Sequence, residues 1–153
     1  MARNRKPKNV QSKLEQVEEG EERTVAVRIT MNEHEDRVFV RAAEVLEISV
    51  SDLVRVAALE ACHRMGLSNP RHVPSHVRAF EHAPWRESTL TRAHTIRLNR
   101  FLELLFHKAA ELSGPLALAH FLVGAVLVFV ARHGRYDKGL GAIKLPEQYR
   151  DRF

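Results

Sequence analysis

Hydrophobic and polar positions between residues 23 and 66 change period once and then restart. Over residues 24 to 31 they alternate: Val25, Val27, Ile29 and Met31 share one side, and Thr24, Ala26, Arg28 and Thr30 share the other. A two-residue repeat is that of a half-buried strand. From Asn32 the apolar positions fall at Val38, Phe39, Ala42, Val45 and Leu46, the three-to-four spacing of one helix face. A second helix is predicted from Ser49 to Met65. Thr30 with Glu33, and Ser49 with Asp52, have the spacing of N-terminal caps. One strand and two helices in so short a stretch bury too little of their own apolar surface, so the unit needs a partner.

The second half of the chain offers one. A strand is predicted at residues 93 to 98, with Thr95-Ile96-Arg97-Leu98-Asn99 set against Ala26-Val27-Arg28-Ile29-Thr30. Asn99 then takes the capping place of Thr30. Leu105-Phe106-His107-Lys108-Ala109-Ala110-Glu111-Leu112 follows Val38-Phe39-Val40-Arg41-Ala42-Ala43-Glu44-Val45. In this alignment the two first helices differ by two residues in length. Gly114-Pro115 ends one helix and starts another, expected from Pro115 to about His133. That last helix is apolar around its whole circumference, which predicts a core helix covered on every side. It is short for a membrane span and holds His120 and Gly124. Its outer cover is expected from the C-terminal segment (Leu140, Ile143, Leu145, Tyr149, Phe153), from Phe80 and Trp85, or from self-association.

The expected organisation is a tail at 1–22, a first motif at 23–66, a linker at 67–89, a second motif at 90–134 and a C-terminal tail at 135–153 that packs on the last helix. The first tail carries Arg3, Arg5, Lys6 and Lys8 and then an acidic run, and with so few apolar residues it is expected to be disordered. Pro70, Pro74 and Pro84 exclude a long helix from the linker. His72, His76 and His82 lie there too, but the prolines break the helix that would set His72 and His76 on one face, so they are read as surface histidines. The formal charge of +5 over 153 residues suits a chain that meets a polyanion. The single cysteine, Cys62, rules out an internal disulfide and suits a cytoplasmic setting. No apolar run follows the basic N-terminus, so no signal peptide is expected.

The strand R-T-V-A-V-R-I-T, its helix and the turn I-S-V-S-D-L-V-R resemble the ribbon-helix-helix family of DNA-binding proteins, related to Arc and MetJ. Glu47 stands where that family often has glycine. The resemblance implies a mainly α fold with a short antiparallel β-ribbon lying in the major groove of double-stranded DNA. Taken with the repeat, it implies two such motifs in one chain forming a pseudo-dimer. The stretches R-A-H-T-I-R-L-N-R-F-L-E-L-L and H-F-L-V-G-A-V-L-V-F-V-A-R are also similar to the C-terminal half of virulence proteins that bind the T-DNA transfer enhancer. Accessory proteins of plasmid relaxosomes share the tandem design. That likeness implies binding near a transfer origin or border and assisting a relaxase.

In a paired ribbon Thr24, Ala26, Arg28, Ala93, Thr95 and Arg97 face outward as base-reading candidates. Arg28 and Arg97 can each place a planar fork on guanine. Because the alignment sets Ala26 against Thr95, the expected site is non-palindromic. The start of the second helix, at Ser49, Val50 and Ser51, is the expected phosphate anchor. Leu116 and Ala117 are its counterpart without a hydroxyl, and Arg3, Arg5, Lys6 and Lys8 form an auxiliary arm. Ordinary solvated charge is the alternative for both arginines. No P-loop, Gly-x-Ser-x-Gly or Cys-His arrangement is present, and Tyr136 and Tyr149 have no His-x-His cluster beside them. The chain is therefore read as non-enzymatic and without cofactor. Three functions follow in order: a DNA-binding accessory factor in plasmid or T-DNA transfer, a transcriptional repressor of the same fold, and an antitoxin or protein-interaction module.

Overall fold

The computed structural model describes residues 25–80, 91–114 and 117–133. In chain order these form strand β1 (Val25–Met31), helices α1 (Glu33–Leu46) and α2 (Val50–Met65), strand β2 (Arg92–Leu98), and helices α3 (Arg100–Leu112) and α4 (Leu118–His133). The fold is mainly helical with a two-stranded antiparallel sheet. The register runs from Val25 opposite Leu98 to Met31 opposite Arg92, so both strands of the ribbon come from this one chain.

Alternation decides the faces of the ribbon. Ile29, Met31, Ile96 and Leu98 are fully buried, while Ala26, Arg28, Ala93, Thr95 and Arg97 are exposed. The inner residues meet a core that includes Phe39, Phe106, Phe121 and Phe129. Each such ring, taken out of water, contributes about 1.5–3 kcal/mol. α2 packs on α4 through the most extensive helix–helix contact, and each second helix also lies on a strand, α2 on β2 and α4 on β1. Each strand is thus covered by the second helix of the other half of the chain.

The first cap differs from the sequence expectation. Asn32, not Thr30, caps α1: its Oδ1 accepts from the Glu35 N–H (2.7 Å), and Glu35 Oε1 accepts from the Asn32 N–H (3.0 Å). The reason is that β1 continues through Met31, whose side chain is buried, and Thr30 stays in the strand. Asn99 caps α3 in the same way, accepting from the Leu102 N–H at 2.8 Å. The helices that follow have 14 and 13 residues, so the expected two-residue difference does not hold. Counted from the two caps, Phe39 answers to Phe106, Ile29 to Ile96 and Met31 to Leu98.

The helix ends carry a second correction. Glu47, where glycine is the usual residue, itself takes the left-handed conformation (φ 59°), and Ile48 N–H closes a Schellman pattern on the Ala43 carbonyl at 3.0 Å. Gly114 (φ 94°) holds the matching place after α3. α4 starts at Leu118, later than Pro115. A helix opening at Ala117 is marked by the Phe121 N–H donating to the Ala117 carbonyl (3.1 Å), as the Leu53 N–H donates to that of Ser49 (2.9 Å).

α4 is a core helix on one face, though not covered on every side as its composition predicts, since His120 is exposed. Phe121, Leu122, Ala125, Val126, Phe129 and Val130 are buried, with Val123, Leu127 and Val128 half-buried. Part of its cover is the segment after α2: Phe80 meets Phe121 edge-on at 5.3 Å, and its N–H donates to Ser113 Oγ (3.1 Å). Trp85, the C-terminal tail at 135–153 and the tail at 1–22 lie outside the described residues. Among the described residues no helix is long and apolar enough to cross a membrane.

Candidate nucleic-acid interface

The outward face of the ribbon is built from three cross-strand pairs: Ala26 with Arg97, Arg28 with Thr95, and Thr30 with Ala93. Among these described positions the only charges are the two guanidinium groups. Thr24 lies outside the described residues. Thr30, expected as a cap, belongs on this face instead, half-exposed. Counting back from Asn32 and Asn99 also moves the correspondence by two residues. Arg28 answers to Thr95, Thr30 to Arg97 and Ala26 to Ala93, so the face is unlike at its centre, and its two end pairs differ, Ala26–Arg97 against Ala93–Thr30.

Behind the ribbon, β2 is tied to α1. His94 Nε2 lies 2.6 Å from Asp36 Oδ1, and the imidazole stacks on Phe39 with centroids 6.4 Å apart. Arg92 adds Nη2 to Glu33 (3.5 Å) and Nε to Asp36 (3.9 Å). These contacts fix the strand from its inner side. The carboxylates are thereby drawn to the inner face, away from any polyanion on the outer one.

The first turn of α2 reaches the other end of β2. Ser49 caps it, its Oγ accepting from the Asp52 N–H at 3.0 Å, which leaves the hydroxyl proton free to donate. Ser51 Oγ accepts from the Arg97 N–H (3.2 Å). Arg55 Nη1 donates to the Arg97 carbonyl (3.1 Å) and to Ser51 Oγ (3.2 Å), and Nη2 pairs with Asp52. Both backbone groups of Arg97 are therefore held by α2 and not by β1. That makes Ala26–Arg97 a non-hydrogen-bonded pair, the closer kind across an antiparallel ladder. It also sets the Val50 and Ser51 amides, at the positive end of the helix, beside the ribbon's edge. The Asp52 charge that would repel an anion there is neutralised by Arg55.

Comparison with protein-family models, curated proteins and solved structures gives no match.

The second candidate anchor is partly visible. Ala117 is exposed and supplies the carbonyl that opens α4, with no side-chain oxygen to cap it. Leu116 and the basic residues Arg3, Arg5, Lys6 and Lys8 lie outside the described residues. His72 and His76 are exposed, and His82 lies outside the described residues. Among the described residues no group of three or more His, Cys, Asp or Glu is placed to hold a metal ion. Cys62 is buried, and burial pushes its thiol well above its ordinary range, so the reactive thiolate is suppressed.

Thr30, Arg55 and His94 are the site residues that sequence reasoning passed over. His94 had a signal, being a polar residue in the apolar phase of β2. Arg55 had one too, since it stands three residues from Asp52 and four from Ser51 on one helix face.

Proposed function

We propose that this chain binds double-stranded DNA in a sequence-specific way, as two ribbon-helix-helix units in one polypeptide, with the β1–β2 ribbon entering the major groove. One observation carries the reading: an antiparallel ribbon whose inner face is sealed over the core exposes an outer face with arginine as its only charge. Seven-residue strands extend for about 23 Å, and a two-stranded ribbon is an element that the major groove admits. Arg28 and Arg97 are the guanine readers. Thr30 and Thr95 offer a hydroxyl to a base edge, or a methyl to thymine.

Phosphates on one side of the groove are taken by the Val50 and Ser51 amides and the Ser49 hydroxyl. On the other side the backbone at Ala117 supplies donors alone. The basic arm, Arg3, Arg5, Lys6 and Lys8, adds sequence-independent attraction. Because Arg28 corresponds to Thr95 and Thr30 to Arg97, the preferred site is non-palindromic. The cellular task we attach to this activity is assistance to a relaxase at a plasmid or T-DNA transfer site, on the likeness of the second half to such accessory proteins.

Selection from a randomised duplex pool, followed by titration of the native chain, Arg28→Ala and Arg97→Ala, tests the reading. Each substitution should relax preference at its own base step, losing about 1–3 kcal/mol of discrimination there. No preferred sequence in the native chain, or an equal loss on every duplex, overturns it. The transfer role is tested separately, by relaxase nicking of origin DNA with and without the protein.

A further inference from the structure

We propose that Arg55 is the positioning residue for Arg97, locking one end of the ribbon to the phosphate anchor and making that end the stricter half of the DNA site. This rests on the DNA-reading role above. The Arg55 side chain is only 6% exposed. Taking a guanidinium out of water is costly unless its donors are met, and its partners include the Arg97 carbonyl, Ser51 Oγ and the Asp52 carboxylate. Ser51 closes the loop by accepting from the Arg97 N–H.

The edge of a two-stranded ribbon ordinarily leaves such backbone groups to solvent. At Arg97 both are fastened to the first two turns of α2, the first of which presents the Ser49 hydroxyl and the Val50 amide. A base reader and a phosphate clamp are thereby one rigid piece. Bidentate recognition of guanine tolerates little displacement, on the order of 0.5 Å, so fixing the backbone under Arg97 translates directly into discrimination.

Among the described residues no such tie joins Thr30, at the other end of the ribbon, to α4. Aligning the opening hydrogen bonds of α2 and α4 sets Ala119 where Ser51 stands and Val123 where Arg55 stands. Neither side chain can donate or accept. α4 lies on β1 as α2 lies on β2, with Ala119 and Val123 in the places that a hydroxyl and a guanidinium hold in α2. The ligand implied is a duplex with a strictly required base pair under Arg97 and a looser preference under Thr30.

The experiment uses the full chain with Ser51→Ala, Arg55→Met and Arg55→Lys. Without DNA, hydrogen exchange at the Arg97 amide should quicken by about tenfold or more in Ser51→Ala. On selected duplexes, preference at the base step assigned to Arg97 (by Arg97→Ala) should fall about tenfold in Ser51→Ala and Arg55→Met. Preference at the Arg28 step should stay as in the native chain, and Arg55→Lys, which keeps a cation beside Asp52, should recover part of the loss. A uniform loss at every step, as a purely structural role gives, overturns the proposal, as does an unchanged preference profile. Should Arg55→Met fail to fold, Ser51→Ala decides alone. A native chain without any sequence preference sinks the DNA reading itself, an outcome distinct from a native preference that the variants leave intact.

Discussion

Arg28 and Thr95 stand directly opposite each other on the outward surface of the ribbon. Opposed side chains interact across an antiparallel pair, and like charges there are destabilising. Thr95→Arg should therefore lower the stability of the free protein by roughly 0.2–1 kcal/mol, measured by urea unfolding. The added cation on the proposed reading face should steepen the logarithmic salt dependence of DNA binding by about 0.9. A slope identical to that of the native chain would place this face away from the phosphates.

Glu47 and Gly114 follow α1 and α3 with positive φ. A side chain in the left-handed region costs about 1–2 kcal/mol, part of which is offset by the freedom glycine loses on folding. Glu47→Gly should raise stability by about 1 kcal/mol and Gly114→Ala should lower it by a similar amount. Nothing lies within 4 Å of a Cβ built at Gly114, so the loss there is backbone strain and not a clash. Paired urea titrations separate the two signs.

Cys62 makes stability depend on pH in one direction. Burial raises its folded thiol above the ordinary value, so as pH climbs past about 8.5 the unfolded chain loses its proton first. The unfolded state then binds fewer protons, and stability falls by up to about 1.4 kcal/mol per pH unit from this group. The contribution is fully present below the unfolded thiol's range and is lost progressively above it. Cys62→Ala should remove that part of the slope when unfolding is followed from pH 8 to pH 10. An unchanged slope would mean that the thiol is not the group responsible.

Glu60 is buried in α2, and its Oε2 lies 2.6 Å from His133 Nε2 at the end of α4. Removing the imidazole strands a buried carboxylate, so His133→Ala should destabilise by about 1–3 kcal/mol. The double variant Glu60→Leu with His133→Ala should recover part of the loss, because no polar group is then left without its partner. Thermal unfolding of the single and double variants checks the order.

Local chemistry made much of this molecule legible. The alternation in β1 and β2 assigned Arg28 and Arg97 to the same face, and Ser49 was read as a cap and is one. The all-apolar circumference of α4 marked it as a core helix. Where the reading slipped, the deciding contact came from far along the chain. Thr30 and Asn32 are both competent caps, and the choice falls to Asn32 because Met31 is buried in a strand whose partner is Arg92. Arg55 looks like any solvated helix charge until β2 is laid against α2. Glu47 has no glycine to announce its left-handed turn, and the Schellman bonds that hold it are visible only in three dimensions.

The exchange of cover between the halves, α2 over β2 and α4 over β1, has a consequence for how the protein behaves at low copy number. A ribbon assembled from separate chains must first find its mate, and its finished surface becomes scarce on dilution. Here the mate is always attached. The completed outer face is then present in simple proportion to the number of molecules, down to the last few.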